Sequence, residues 1–347
     1  MVEIALRAQP ETGRAATRVP TGVVVIVLAV LNVLLCLVSL AVGSQSLTLE
    51  ELVSAFVPGE RTVASIIVWQ LRMPRTVLAA MVGAALAVAG VVMQGLTRNP
   101  LAEPGILGVN AGASLSVVLS MSLLGLTDVG EFLWFAFAGA ALAAFLVHLI
   151  SVRSADAGPA RLVLAGVALG ASLRSITGTV TMYDSVTFDS YRFWVLGSLV
   201  DRDAELLVWV APFLVVGLVL ALASGLTLNA LALGEEQAQA LGVSPRRARA
   251  LALTSITLLC GASTAAVGPI SFVGLVVPHV LRLALGADQR KLLVVSVVAG
   301  PVLLLAADIL GRVILDSGEM EAGVVTAFIG GPVLLLMVIQ RMGVRGR

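Results

Sequence analysis

Long apolar runs, parted by short polar or Gly/Pro-containing breaks, fill the chain from residue 21 onward. A bilayer core of about 30 Å calls for roughly 17–25 apolar residues per crossing helix. The pattern predicts helices near 21–42, 74–97, 106–126, 131–152, 161–182, 206–225, 248–267, 269–285, 290–310 and 322–341. Gly268-Pro269 makes the pair around it either one bent span or two short ones. The strict apolar/polar alternation of a membrane barrel strand is absent, and backbone groups in lipid must be satisfied within their own segment. The predicted fold is an all-α integral membrane protein, a bundle of about ten transmembrane helices. Residues 1–20 form a polar cytoplasmic N-terminal tail with Arg7, Arg14 and Arg18 and no convincing signal-peptidase site, and 21–347 form a single transmembrane domain.

Composition agrees and narrows the class. With 59% hydrophobic residues, 12% charged residues and a mean hydropathy of +1.03, the chain exceeds what one water-soluble core can bury. Ten spans with the N-terminus inside place fifteen of the 22 basic residues in cytoplasmic segments, six outside and Arg174 within a span. Of the 21 acids, seven fall inside and fourteen outside, so the positive-inside rule is obeyed; nine spans would put the basic C-terminus outside. Both termini are thus expected in the cytoplasm. Cys36 and Cys260 lie in apolar runs, where each acts as a small hydrophobe, and no disulfide is expected.

Ala79, Gly83 and Ala87, and Gly166 and Gly170, recur at the spacing that lets helix backbones approach closely in lipid. Two segments outside the spans are long. In the outer one, 43–73, Thr48 and Glu51 have capping-box spacing and open a short surface helix. The inner one, 226–247, reads LTLNALALGEEQAQALGVSPRR and predicts one or two short helices broken by Gly242 and Pro245.

Active transport needs an energy source. A phosphate-binding loop needs Lys after its glycines, yet the lone lysine, Lys291, follows Arg290. ATP, if used, must be bound by another chain. The rival is a stand-alone ion-coupled secondary transporter, which usually carries ionisable groups in mid-membrane. Here only Arg174 lies firmly in a span, with Asp308 near an outer end. No His/Glu, Ser/His or paired-Asp cluster marks a catalytic site, and neither His148 nor His279 has metal-ligand companions at the right spacing. The chain is therefore expected to have no catalytic residues of its own and to bind no metal.

Several segments together resemble the permease family that imports ferric siderophores, haem and vitamin B12 in bacteria. They are LRMPR (71–75), GLTRNPLAEPGILGVNAGAS (95–114), RLVLAGVALG (161–170), ALGEEQAQALGV (232–243), VGPISFVGLVVPHVLRL (267–283), AADILGRV (306–313) and GVVTAFIGGPV (323–333). The 95–114 stretch and RFWVLGSL (192–199) look most like a ferric-enterobactin-type subunit. The resemblance implies a type II ABC importer permease in the bacterial cytoplasmic (inner) membrane that passes an iron–siderophore or related metal chelate inward. It implies as partners a second permease, a paralogue rather than an identical copy, two ATPase subunits carrying ATP-Mg, and an external siderophore-binding protein. No nucleic acid partner and no cofactor on this chain are expected.

The resemblance also assigns roles. Arg72, Arg75 and Arg312 lie at outer helix ends, where guanidinium forks would pair with glutamates of the binding protein. Asn99 and Leu101 would belong to the cytoplasmic gate, with Asn99 capping free carbonyls at the end of its helix. A second gate element precedes the fifth helix in relatives, but here that place is Pro159-Ala160, without the small hydroxyl residues. The 234–247 segment would be the ATPase coupling element: Gly234, Leu241, and the small residues Ala238, Ala240 and Gly242 for close fit, with Glu235, Glu236, Arg246 and Arg247 at the rim. Two readings stay open for Arg174: it lines the translocation path and favours an anionic chelate, or it reaches the interface and pairs with an acid such as Asp184.

Overall fold

The structure, a computed structural model, describes residues 20–43, 47–57, 62–152, 159–315 and 318–345. The expected tail at 1–20 therefore falls, except for Pro20, outside the described residues. Helix α1 spans Thr21–Ala41, α2 Leu49–Ser54 and α3 Val63–Ile66; a π-helical stretch Ile67–Arg72 then runs into α4, Met73–Thr97. A 3-10 turn, Pro104–Leu107, precedes α5 (Val109–Leu124), followed by α6 (Val129–Val152), α7 (Pro159–Tyr183), α8 (Ser185–Val195) and α9 (Ala204–Ala223). The chain continues through α10 (Gly225–Leu233), α11 (Glu235–Ala240), α12 (Pro245–Val267), α13 (Val273–Leu285), α14 (Gln289–Val313) and α15 (Ala322–Arg345).

Among the described residues, eight helical segments are long and apolar enough to cross a membrane: α1, the 63–97 rod, α6, α7, α9, α12, α14 and α15. The other two expected spans are shorter. With 16 and 13 residues, α5 and α13 reach only ~24 and ~20 Å. Both begin inside the bundle: Gly108 packs against Gly166 and Gly170 of α7, and Gly274 packs against Gly90 of α4. Non-helical backbone at such depth is tolerated only where protein satisfies it. Here Ser198 N donates to Val267 O at 2.8 Å, and the Glu103 carboxylate accepts from Phe272 N at 2.6 Å.

The predicted start of the second span at Pro74 is corrected to residue 63. Proline cannot donate to the preceding turn and clashes with it, but the wider π turn at 67–72 absorbs both problems, so the helix runs through Pro74 without stopping. The short helix expected at Thr48 is α2, with both capping-box bonds formed, and Thr48 holds the Glu51 carboxyl below its usual range.

Helix α4 is the axis of the fold. Most of its apolar span, 83%, is buried, and it packs against α14, α12, α13 and α9 around one continuous core that includes Leu78, Met93, Leu259 and Leu292. Small residues set its closest approaches: Gly83 meets the Gly300 backbone and Gly90 the Gly274 backbone. Helices α1 and α7 sit at the periphery with 11% and 17% of their spans buried, but their exposed faces differ. That of α1 is apolar, with Ile26, Val30, Val33 and Leu37 outward, as a lipid-facing helix requires. That of α7 is mixed, exposing Ser172, Arg174, Ser175 and Thr179 beside Leu164, Val167, Ile176 and Met182.

Candidate transport sites

One end of the bundle gathers the arginines that charge bias places outside. Arg72, on the π stretch, donates through Nη1 to the Leu40 and Ala41 carbonyls at 2.7 and 2.8 Å. Arg312 donates to the Ser39 and Val42 carbonyls at 2.7 and 3.0 Å. These carbonyls lie at or just past the C-terminus of α1, without partners inside the helix, so two guanidiniums from other helices cap it. Arg75 grips Asp308 with two nitrogens, Nε and Nη2, at 3.0 and 2.7 Å to Oδ1, and reaches Glu319 Oε2 with Nη1 at 2.6 Å. Arg312 pairs with the other oxygen of Asp308, whose side chain is 1% exposed. The three expected docking arginines are thus one network, nearly buried and anchored to this chain's own carbonyls and acids.

The network borders a cavity of about 560 Å³ lined by Arg72, Arg75, Arg202, Arg312, Asp201, Asp203 and Glu319. Arg202 enters on the irregular stretch after α8, where Gly197 and Asp201 both hold positive φ (76° and 51°) and turn the chain back toward the bundle.

At the opposite end, α4 closes with Arg98 in the left-handed conformation (φ 52°), its N–H bonded to Gln94 O. The Asn99 side chain does not cap helix carbonyls as expected; Oδ1 accepts from Leu101 N at 3.0 Å, an Asx turn that shapes the NPL segment. Leu101 and Phe272, both partly buried, pack on the small cluster of Leu275, Val276 and Met337 where α13 meets α15.

The segment 226–247 forms two short helices, α10 and α11, joined at Gly234, whose φ of 127° only glycine adopts readily. Gly242, at φ 79°, ends α11 with Gly242 N bonded to Gln239 O and Val243 N to Ala238 O. Leu241, 64% exposed, stands beside exposed Ala240 and Gly242, with exposed Glu236, Arg246 and Arg247 around them. Two assignments shift. Ala238 is fully buried against Ala230, Leu231 and Ala248 and so faces inward, and Glu235, still partly exposed, is paired with Arg249 of α12. On α10, Asn229 donates to Asp288 Oδ1 and accepts from Gln289 N, both at 2.9 Å. The Asn229 amide holds the Asp288 carboxyl below the usual carboxylate range.

Arg174 is exposed on the outer side of α7. Asp184 serves as the N-cap of α8, accepting from Thr187 N at 3.1 Å and from the Thr187 hydroxyl at 2.6 Å.

With this geometry in place, a family model described as the FecCD transport family matches residues 30–340. The chain belongs to the FecCD transport family. It is 44% identical over 316 residues to the ferric enterobactin transport system permease protein FepD of Escherichia coli (strain K12), covering 90% of this chain and 94% of that protein. It is 36% identical over 335 residues to the hemin transport system permease protein HmuU of Yersinia pestis, covering 95% and 98%. A solved structure described as a metal-chelate type ABC transporter in an inward-facing conformation superposes with a TM-score of 0.81 at 28% identity, covering 92% of this chain and 99% of that one.

Four residues of this FecCD chain join the sites without having been singled out from sequence: Arg202, Glu319, Glu103 and Asn229. The partners of Glu103 and Asn229 lie 169 and about 60 residues away, which no local pattern reveals. One signal was legible: Asp201-Arg202-Asp203 is a charge cluster just before an apolar run, the usual place for a helix-end network.

Proposed function

We propose that the chain is the permease subunit of an ATP-driven importer that receives an iron–siderophore from an external binding protein and releases it into the cytoplasm. The observation that carries the reading is the α10–α11 surface: exposed Leu241 with a charged rim, on a segment hydrogen-bonded to α14, in a chain without a nucleotide loop. Such a surface suits a partner ATPase, which supplies ATP-Mg, while this chain binds no cofactor of its own. Two ATPases, a second permease, paralogous rather than identical, and the binding protein complete the assembly. The cavity at the other end, lined by arginines and acids, would take carboxylates of the binding protein through such guanidinium N–H groups as the bonds of Arg72, Arg75 and Arg312 leave free, and Asn99 and Leu101 would close the path on the cytoplasmic side. Both termini lie in the cytoplasm of a bacterial inner membrane. The exposed, mixed face of α7 is read as the seam with the second permease, with Arg174 toward the path.

The test is reconstitution in vesicles with the co-purified partners and ferric enterobactin as probe. Uptake should require ATP and the binding protein; uptake that follows a proton gradient and ignores ATP would establish the ion-coupled alternative. Leu241→Asp puts a charge at the centre of the proposed contact and should lower ATPase recovered with the permease by about tenfold or more, read by quantitative mass spectrometry. Arg174→Gln should reduce uptake of an anionic chelate and spare a neutral one. Equal uptake of both by the variant would remove Arg174 from the path.

A further inference from the structure

Two hydrogen-bonded clamps sit at the two ends of α13. At its start, Glu103 Oε1 accepts from the backbone N–H of Phe272 at 2.6 Å, and Phe272 packs on the same small cluster as Leu101. Just beyond its end, Asn229 of α10 holds Asp288 and Gln289, the first residues of α14, by two bonds of 2.9 Å. Between the clamps the helix has no room to slip. A Cβ on Gly90 of α4 would lie 1.9 Å from the Gly274 carbonyl oxygen, and Gln94 donates to that same oxygen at 3.2 Å. Helices α4, α13 and α14 are thus closely packed against one another along this stretch.

The 99–106 turn and the start of α14 each close without their clamp, although Glu103 also satisfies the N–H of Phe272 at the start of α13. The 99–106 turn is closed by its own bonds, Leu101 N to Asn99 Oδ1, Ala102 N to Asn99 O and Ile106 N to Glu103 O. Asp288 caps α14 through Arg290 N at 3.0 Å without help from α10. What the clamps add is connection across long sequence distance: α10 to this packed block, and the block to the NPL turn.

We propose that these clamps carry the stroke of the coupling segment to the gate, with Asn229 as the input and Glu103 as the output positioning residue. The proposal rests on the reading that α10–α11 meets the ATPase and that the Asn99–Leu101 turn closes the path. When α10 is displaced, Asn229 pulls the start of α14; the block shifts as a unit, and Glu103 makes the NPL turn follow Phe272. Without either bond the block and the gate fall out of step while the ATPase continues to turn over.

The experiment uses the complete transporter in vesicles and measures ATP hydrolysis and ferric enterobactin uptake on the same sample. Glu103→Ala and Asn229→Ala are each expected to lower chelate moved per ATP by about tenfold while hydrolysis stays within about twofold of the unmodified complex. Glu103→Gln keeps a carbonyl acceptor at the same reach and is expected to hold the ratio within about threefold. An unchanged ratio in both alanine variants, a Gln variant as poor as the Ala variant, or loss of the ATPase from the purified complex would each overturn the proposal. Uptake by the unmodified complex that ignores ATP overturns the transport reading itself, and this inference with it; that arm is read before any variant.

Discussion

Replacing Asp308 with Ala is expected to cost about 3–5 kcal/mol of stability, the range for removing one partner of a buried ion pair. Asp308 has a side chain 1% exposed and, among the described residues, is the only acid paired with both Arg75 and Arg312. Its removal leaves Arg312, equally buried, beside Arg75 without its direct ion-pair partner, and Glu319 is bonded to Arg75 and not to Arg312. Arg312→Ala should cost less, because Asp308 keeps the two-nitrogen grip of Arg75 and Arg72 still covers the Leu40 and Ala41 carbonyls. Arg75→Ala should cost least, since the pair of Asp308 with Arg312 survives. Thermal unfolding midpoints of the purified chain in detergent order the three. If Arg75→Ala proves as damaging as Asp308→Ala, Asp308 is not the hub of the network. The ordering also bears on docking: arginines whose loss mainly unfolds the outer end serve α1 first, and a binding protein can use only what their bonds leave free.

The parts of this fold that were legible in sequence are those governed by local physics. Apolar run length gave ten hydrophobic elements, and the capping-box spacing of Thr48 and Glu51 gave α2. Gly242 and Pro245 marked breaks of the inner segment, Gly242 at a positive φ and Pro245 at the start of α12, whereas the break at Gly234 was not marked. Local rules failed where tertiary context overrode them. Pro74 reads as a helix start, yet the π turn before it lets the helix continue. The stretch SVTFDSYRFWV reads as an outer loop, but Asp184 and Thr187, three residues apart, cap it into α8 and its Trp194 is buried against Phe132. The arginines were visible at the right end of the bundle, but their partners were not. Arg75 meets Asp308 across 233 residues and Arg312 meets Ser39 across 273, and nothing along the chain distinguishes a guanidinium awaiting a partner from one already satisfied.

Gly90→Ala is expected to leave no correctly folded transporter, although helix propensity alone predicts a gain of about 1 kcal/mol from the same change. The clash decides the sign. The added Cβ would lie 1.9 Å from the Gly274 oxygen and 2.5 Å from its carbonyl carbon and Cα, all backbone atoms that cannot rotate away. Restoring ordinary contact requires α4 and α13 to part by ~1.5 Å, more than a close-packed interior yields cheaply. That separation also strains the Gln94 bond to Gly274 O and the Glu103 bond to Phe272 N, leaving polar backbone unsatisfied deep in the bundle. Gly178→Ala on α7 is the matched control, because a Cβ there meets nothing within 4 Å and the propensity gain stands unopposed. Membrane-fraction yield, monodispersity after detergent extraction and unfolding midpoint, compared for the two variants, measure the difference. A Gly90→Ala chain that folds and extracts like the Gly178→Ala chain would show that α4 and α13 can separate, and the stiff block between coupling segment and gate would lose its physical basis.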